Sequence, residues 1–362
     1  MKRKSTVFML TVLAGLAIFV AIPAAGQYKQ INLVADQPGI ARYTDPNLLD
    51  PWGMLFLPEG GFLIADTHSG LATTYGAGGK PKARTVSVPP APSQPFGPVG
   101  SPTGVVANRT SEFRISKGGE SAPAWFIFDT LDGTIAGWSP EVDPAQAIIV
   151  VDNSIEYPFP ASYTALAFAR NSKGQNVIYA ADSGSGPDKS NNRIDMFDAG
   201  FNYLGSFGDP NPPANMTVFN VQAVDRKLYV TYAAFTLLQG GVVDIFDTEG
   251  NFVKRFAEND GSGPLQEPWP IAEAPSNFGQ FSGALLIGNL EDGRINAYNG
   301  KTGEFLGQLT DNNGNPISNG LGLWTLGFRP DQDQDHPARL FFTTGTNGEA
   351  DGLFGAIVPV GH

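Results

Sequence analysis

The 362-residue sequence contains no cysteine and only three histidines, His68, His336 and His362. The first absence excludes a disulfide framework, thiolate metal sites and cysteine nucleophiles. The second leaves little material for a multi-histidine metal centre. Charge is sparse, at 16% of residues, and one-sided: 23 Lys and Arg stand against 35 Asp and Glu, a formal net charge of −12. Nucleic acid is excluded as a partner, because neutralising phosphates needs clustered Lys and Arg. Past the N-terminus no apolar run is long enough to span a bilayer. There is no Gly-x-Ser-x-Gly, no His-Glu-x-x-His and no phosphate-cradling glycine loop. Long helices are excluded too, since Gly, Pro or β-rich runs interrupt every stretch.

Glycine and proline are abundant instead, with 44 and 29 residues. Together they make up about a fifth of the chain, against roughly 12% in average usage. With 41% hydrophobic residues the chain can still bury a core, one cut by frequent turns.

The N-terminus reads as a targeting segment. Lys2, Arg3 and Lys4 precede an uncharged run over 7–22 rich in Val, Leu, Ala, Ile and Phe. Ala24-Ala25-Gly26 then places small residues at the −3 and −1 positions of a cut before Gln27. That order is the signal-peptide pattern, and the apolar run is short of the ~20 residues of a membrane span. Residues 1–26 are therefore expected to be removed, leaving 27–362 as an exported, soluble monomer in the periplasm or the medium.

One supersecondary unit recurs six times. An apolar strand opened by Trp, Pro or Gly is followed by a second strand ending in a small residue and Asp or Asn. After a Gly-bearing turn comes a third strand patterned Ile-x-x-aromatic. Equivalent positions are Gly53, Gly104, Ala165, Val221, Pro270 and Thr325, spaced by 51, 61, 56, 49 and 55 residues. Strand clusters at this period predict an all-β, six-bladed β-propeller. Outer strands are visible at 83–88, 201–207, 252–256 and 305–309. The sixth copy ends after its third strand, so 28–34, apolar at Ile31 and Leu33, is expected to close that blade from the other end of the chain and remove an exposed edge. The proline-rich stretch 89–102 and the polar stretch 184–192 read as surface connections.

In a four-stranded meander the loops between second and third strands lie at the same end as the starts of the first strands. One face should then carry Asp66, His68, Asp182, Asn289, Glu291, Asp292, Asn347, Glu349 and Asp351 from the loops. Asp50, Trp52, Asn220, Trp269 and Trp324 join them from the strand starts. Such a channel mouth can bind a sugar or other polyhydroxyl. Asp182, Asn220, Asn289 and Glu349 can supply oxygens to a hard cation such as Ca²⁺. Each residue also has a plainer reading. Asp or Asn before Gly makes an Asx-turn, and a Trp repeated at one position packs a core. Glu349 has no counterpart in other blades. Asp331, Asp333 and Asp335 stand at calcium-loop spacing, but His336 and Phe342 occupy the positions of the required Gly and Glu, so a solvated hairpin fits better. Asn108-Arg109-Thr110 and Asn215-Met216-Thr217 match the glycosylation sequon.

Asp45-Pro46-Asn47-Leu48, Asp50-Pro51-Trp52-Gly53, the run Phe281 to Asn289 and above all Asn347-Gly348-Glu349-Ala350-Asp351-Gly352-Leu353-Phe354-Gly355 resemble a family of exported, uncharacterised bacterial proteins. Some members of that family carry a PEP-CTERM sorting tail, which is missing here. Ile64-Ala65-Asp66 and Tyr179-Ala180-Ala181-Asp182 look like NHL-type propeller repeats. The resemblance implies fold and export and no activity. The leading expectation is a non-catalytic binding protein for a carbohydrate, peptide or envelope partner. The alternative is a calcium-dependent lactonase- or esterase-like hydrolase with its metal at the channel mouth.

The leader reading makes a direct prediction. Mass spectrometry of the exported protein should find an N-terminus close to Gln27. Full-length chain recovered in the membrane fraction would overturn it.

Overall fold

The computed structural model describes residues 26–93, 96–155, 160–184, 191–234, 240–331 and 336–360. Most of the segment 1–26 expected to be a leader, the core of the 184–192 stretch, Asp333, Asp335 and His362 lie outside the described residues. The strands form six antiparallel blades of four in a ring. Blade 1 comprises Pro51–Phe56, Phe62–Asp66, Leu71–Tyr75 and Pro81–Ser87. Blade 2 comprises Pro102–Ala107, Phe126–Thr130, Thr134–Trp138 and Ile148–Asp152. Blade 3 runs Tyr163–Arg170, Asn176–Asp182, Arg193–Phe197 and Tyr203–Phe207. Blade 4 is Thr217–Val224, Lys227–Ala233, Gly241–Phe246 and Phe252–Asn259. Blade 5 is Pro268–Glu273, Leu285–Asn289, Ile295–Tyr298 and Phe305–Thr310. Blade 6 takes Leu323–Phe328, Leu340–Thr346 and Asp351–Pro359 from the C-terminal end and Gly26–Ala35 from the N-terminal end.

Two elements go beyond the repeat pattern. The outer strand of blade 2, Ile148–Asp152, has neither the Gly nor the aromatic residue that marks the outer strands of blades 3 and 5. A hairpin of Arg114–Lys117 and Glu120–Pro123 is inserted between the first two strands of that blade, which explains the longest repeat spacing. Its turn is Gly118-Gly119, both at positive φ (63° and 93°), the backbone that a two-residue hairpin turn requires. The hairpin tucks Ile115 into the blade 2–blade 3 interface and buries Ala122, and so adds to the core.

Strand alternation explains why the middle strands read as unbroken apolar runs. In Phe62–Asp66, Leu63 and Ala65 face blade 2, packing with Val105, Phe128 and Trp138. Phe62 and Ile64 face blade 6, packing with Phe341 and Phe354. Both faces are buried, so both registers of the period-2 pattern must be apolar. The same division recurs at each of the six interfaces between neighbouring blades. Each fully buried Phe or Leu at an interface contributes about 1.5–3 kcal/mol relative to exposure.

The N-terminal strand closes the ring as expected. It pairs antiparallel with the last strand from Tyr28 opposite Pro359 to Ala35 opposite Leu353, with a bulge between Asn32 and Val34. Its first residues also run parallel to Leu309 and Thr310 of blade 5, so one strand joins two blades. Tyr28 anchors it. The ring is buried and stacks on Phe281 at 6.1 Å, its hydroxyl donates to the Phe278 carbonyl at 2.9 Å, and it accepts from the Phe281 amide at 3.2 Å.

Deleting residues 28–34 should therefore lower the melting temperature sharply and promote association through the bared edge of Asp351–Pro359. Calorimetry and light scattering would check this. A truncated protein as stable and as monomeric as the intact one would contradict the closure.

Candidate functional site

The repeat puts Trp52, Trp269 and Trp324 at the second position of the first strands of blades 1, 5 and 6, hence at one height around the axis. Their side chains meet there. Trp52 stacks on Trp324 with centroids 3.8 Å apart, and Trp269 meets the two edge-on at 5.3 and 4.9 Å. Phe219 of blade 4 stacks on Trp269 at 4.5 Å. All four are buried and, with Ala233 and Leu290, form an axial cluster separate from the six interface clusters. The mouth expected to receive a ligand is thus plugged by aromatic rings.

Asp50 ties the plug together. It sits at φ 47° just before blade 1 and is fully buried. One carboxylate oxygen accepts the indole N–H of Trp52 and the other that of Trp324, each at 2.8 Å. Burial pushes its carboxyl up to about 7, and the nearby Glu349 charge adds to the shift. His68 lies above it, with Nε2 3.6 Å from Asp50 Oδ2 and its side chain half exposed. His68 hydrogen-bonds the backbone of Glu349, while partial desolvation lowers its own pKa. Glu349 is half-buried at φ 70°, and burial raises its carboxyl. Gly345 has to be glycine here, since a Cβ would stand 2.6 Å from Asp50 Oδ1.

The remaining loop candidates are committed to structure. Asp182 Oδ1 accepts the amides of Ser162 and Gly184, both at 3.0 Å, the second closing an Asx-turn. Asp66 accepts from the Thr73 hydroxyl at 2.7 Å. Asn289 accepts the Gln266 amide at 3.1 Å and donates to the Pro264 carbonyl and Asp292. Asp351 accepts a long contact from Gln37 at 3.4 Å. Asn220 donates to the Trp269 carbonyl at 2.6 Å. Among the described residues no group of three or more acidic or histidine side chains is placed to share a cation. The sequon at Asn108 is structural, because that amide is buried and donates to the carbonyls of Glu112 and Ala124.

Asn220 belongs to a belt that the sequence reading missed. Thr103 donates to the Tyr163 carbonyl, Thr164 to Phe219, Asn220 to Trp269 and Thr325 to Trp52, each reaching from one blade to the next. Asp129, the blade 2 equivalent of Asp66 and Asp182, accepts the Gly104 amide at 2.6 Å and lies 2.9 Å from the Thr103 hydroxyl oxygen. Aligning the first strands would have found Thr103, Thr164 and Asn220 at the position held by Trp52, Trp269 and Trp324 in the other three blades, with Thr325 one residue further on.

Below the plug the axis is hollow. A cavity of about 570 Å³ runs from the tryptophans past Gly53, Gly104, Ala165 and Val221 to the far ends of the first strands, where exposed Arg109 and Arg170 line it. Access is therefore from the end opposite the expected mouth. Sequence reasoning gave neither arginine a role: Arg109 entered only as the middle residue of the Asn108 sequon, and Arg170 ends an apolar strand.

No protein-family profile matches the chain. Two uncharacterised proteins of Acanthamoeba polyphaga mimivirus are similar along most of it. One is 29% identical over 351 residues, covering 92% of this chain and 81% of its own. The other is 27% identical over 351 residues, covering 92% and 87%. These relatives are viral, unlike the bacterial proteins that the motifs resemble. Among solved structures, a glucose dehydrogenase aligns with TM-score 0.54 and 12% identity over 92% of this chain and all of its own. The PQQ-bound aldose sugar dehydrogenase of Streptomyces coelicolor aligns at 0.53 and 13%, covering 93% and 99%. A luciferin-regenerating enzyme aligns at 0.53 and 10%, covering 87% and 92%. At such identities the likeness is one of fold: a six-bladed propeller whose structural neighbours include enzymes.

The buried carboxylates set a pH dependence. Burial raises Asp50, Asp129 and Asp182 to about 7, above the ordinary carboxylate value. The folded state then holds protons that the unfolded chain releases, so this stability is complete below about pH 4 and is lost as pH rises through 7. The melting temperature should be higher at pH 5 than at pH 8, and Asp129→Asn should flatten the slope. An unchanged slope in that variant would show that Asp129 titrates normally.

Proposed function

We propose that this protein is an exported, non-catalytic binding protein whose ligand enters the central channel from the arginine-bearing end. The observation that carries this reading is the axial cavity. Its volume of about 570 Å³ lies within the ~300–1,000 Å³ usual for small-molecule sites. It is closed at one end by the Asp50–tryptophan plug, so a ligand has a floor to rest on. The size favours a small molecule or the end of a peptide over a folded partner.

Export rests on the leader at 1–26, and a cysteine-free chain is indifferent to an oxidising compartment. A calcium-dependent hydrolase gains less support. Of the four residues able to donate oxygens, Asp182, Asn220 and Asn289 hold backbone groups of neighbouring loops and blades, and Glu349 lies beside the plug.

A panel of sugars, di- and tripeptides and small organic molecules, read by melting temperature and tryptophan emission, tests the proposal. A true ligand at a hundredfold excess over its Kd should stabilise the fold by about 2.7 kcal/mol. Ala107→Phe, which fills a half-buried position in the channel wall, should abolish the response while leaving the unliganded melting temperature nearly unchanged. Responses that survive Ala107→Phe would move the site off the channel. Chelator-sensitive turnover of a lactone or ester would overturn the non-catalytic reading.

A further inference from the structure

The walls of the channel carry a bias that the composition does not. Asp and Glu outnumber Lys and Arg by 35 to 23 in the chain. Yet among the described residues no acidic side chain lines the axial cavity, and the charged ones that do are Arg109 and Arg170. Arg109 is exposed and donates to no protein acceptor among the described residues. Arg170 is held in place. Its Nε donates to Asn176 Oδ1 at 3.1 Å, and the Asn176 amide donates in turn to Glu112 Oε2 at 2.6 Å. Among the described residues the two terminal nitrogens of the guanidinium then have no acceptor, and they form a fork whose geometry matches the two oxygens of a carboxylate.

Deeper in, Val105, Leu166, Ala165 and Val221 share the walls with the belt residues Thr103, Thr164, Asn220 and Thr325, whose donors are already bound to backbone carbonyls. The indole N–H groups of Trp52 and Trp324 are already bound to Asp50, so these two residues offer ring carbons to the channel and no donor. A sugar would find few partners for its hydroxyls there, and unpaired buried hydroxyls are costly. An uncharged hydrocarbon body loses nothing.

We propose that the channel accepts a small organic carboxylate, its apolar body toward the tryptophan floor and its carboxylate between Arg109 and Arg170. This rests on channel binding as the function and names the ligand class. The other charged groups at that end agree with a one-sided site. Glu112 stands behind Asn176, and Asp225 and Arg226 line a separate hollow beside Arg170. Glu273 lines a hollow on the far side with Met54, Gln222 and Thr325. A single anionic group is accommodated on the arginine side, and a second one opposite would meet Glu273.

The test uses hexanoate and benzoate against their neutral isosteres, hexanamide and benzamide, with hexyl phosphate as a further arm, all by isothermal titration. The carboxylates should bind about tenfold or more tightly than the amides, the scale of one charge-assisted hydrogen-bonded pair. Arg109→Gln and Arg170→Gln should each remove most of that preference without changing the melting temperature. Equal binding of acids and amides, lost in Ala107→Phe, would overturn the carboxylate assignment and leave channel binding standing. Preference for hexyl phosphate would overturn it in favour of a phosphate ligand. No binding of any of these probes would also overturn it, and the sugars and peptides would then decide the channel itself.

Discussion

A ring of blades without covalent closure has one seam, and here the seam is held at both its inner and outer ends. At the axis Asp50, from the segment preceding blade 1, accepts one indole from blade 1 and one from blade 6. At the rim the N-terminal strand pairs with the last strand of the chain and touches blade 5. With no cysteine available, hydrogen bonds and packing must do what a disulfide does in other small or exposed folds. The belt formed by Thr103, Thr164, Asn220 and Thr325 extends the same device around the axis, each donor reaching the carbonyl of the next blade.

Closing the seam this way decides where the protein can work. The tryptophans that Asp50 organises fill the end of the channel at which the sequence places most of its polar loop residues. The axial cavity reaches the opposite end, where the first strands finish and Arg109 and Arg170 stand. The polar loop residues become the framework of the plug and of the turns beneath it. Asp182 and Asn289 bind the amides of the loops leading into their own first strands. Burial raises the carboxyls of Asp129 and Asp182, with Arg193 partly offsetting the effect at Asp182.

The fold is shared with enzymes of several kinds, and that sharing is informative only about the frame. A propeller supplies a radial array and an axial hollow, and activity depends on which side chains face the hollow. In this chain those include apolar residues, the belt hydroxyls and amides, three tryptophans and two arginines.

The sequence by itself determined the blade count, the strand order and the closure by residues 28–34. These follow from local facts: period-2 apolar runs, Gly-bearing turns and a last repeat lacking one strand. The inserted hairpin and the outer strand of blade 2 were harder to read, because neither repeats. Which end of the channel is open was decided only by tertiary structure. Trp52, Trp269 and Trp324 lie up to 272 positions apart in the chain, and whether three indoles at one height leave a gap or fill it depends on ring packing over distances of 3.8–5.3 Å. The same holds for Arg109 and Arg170. The sequon around Arg109 and the strand end at Arg170 say nothing of a shared site, and the two become a pair only when adjacent blades bring the ends of their inner strands to the rim of one cavity.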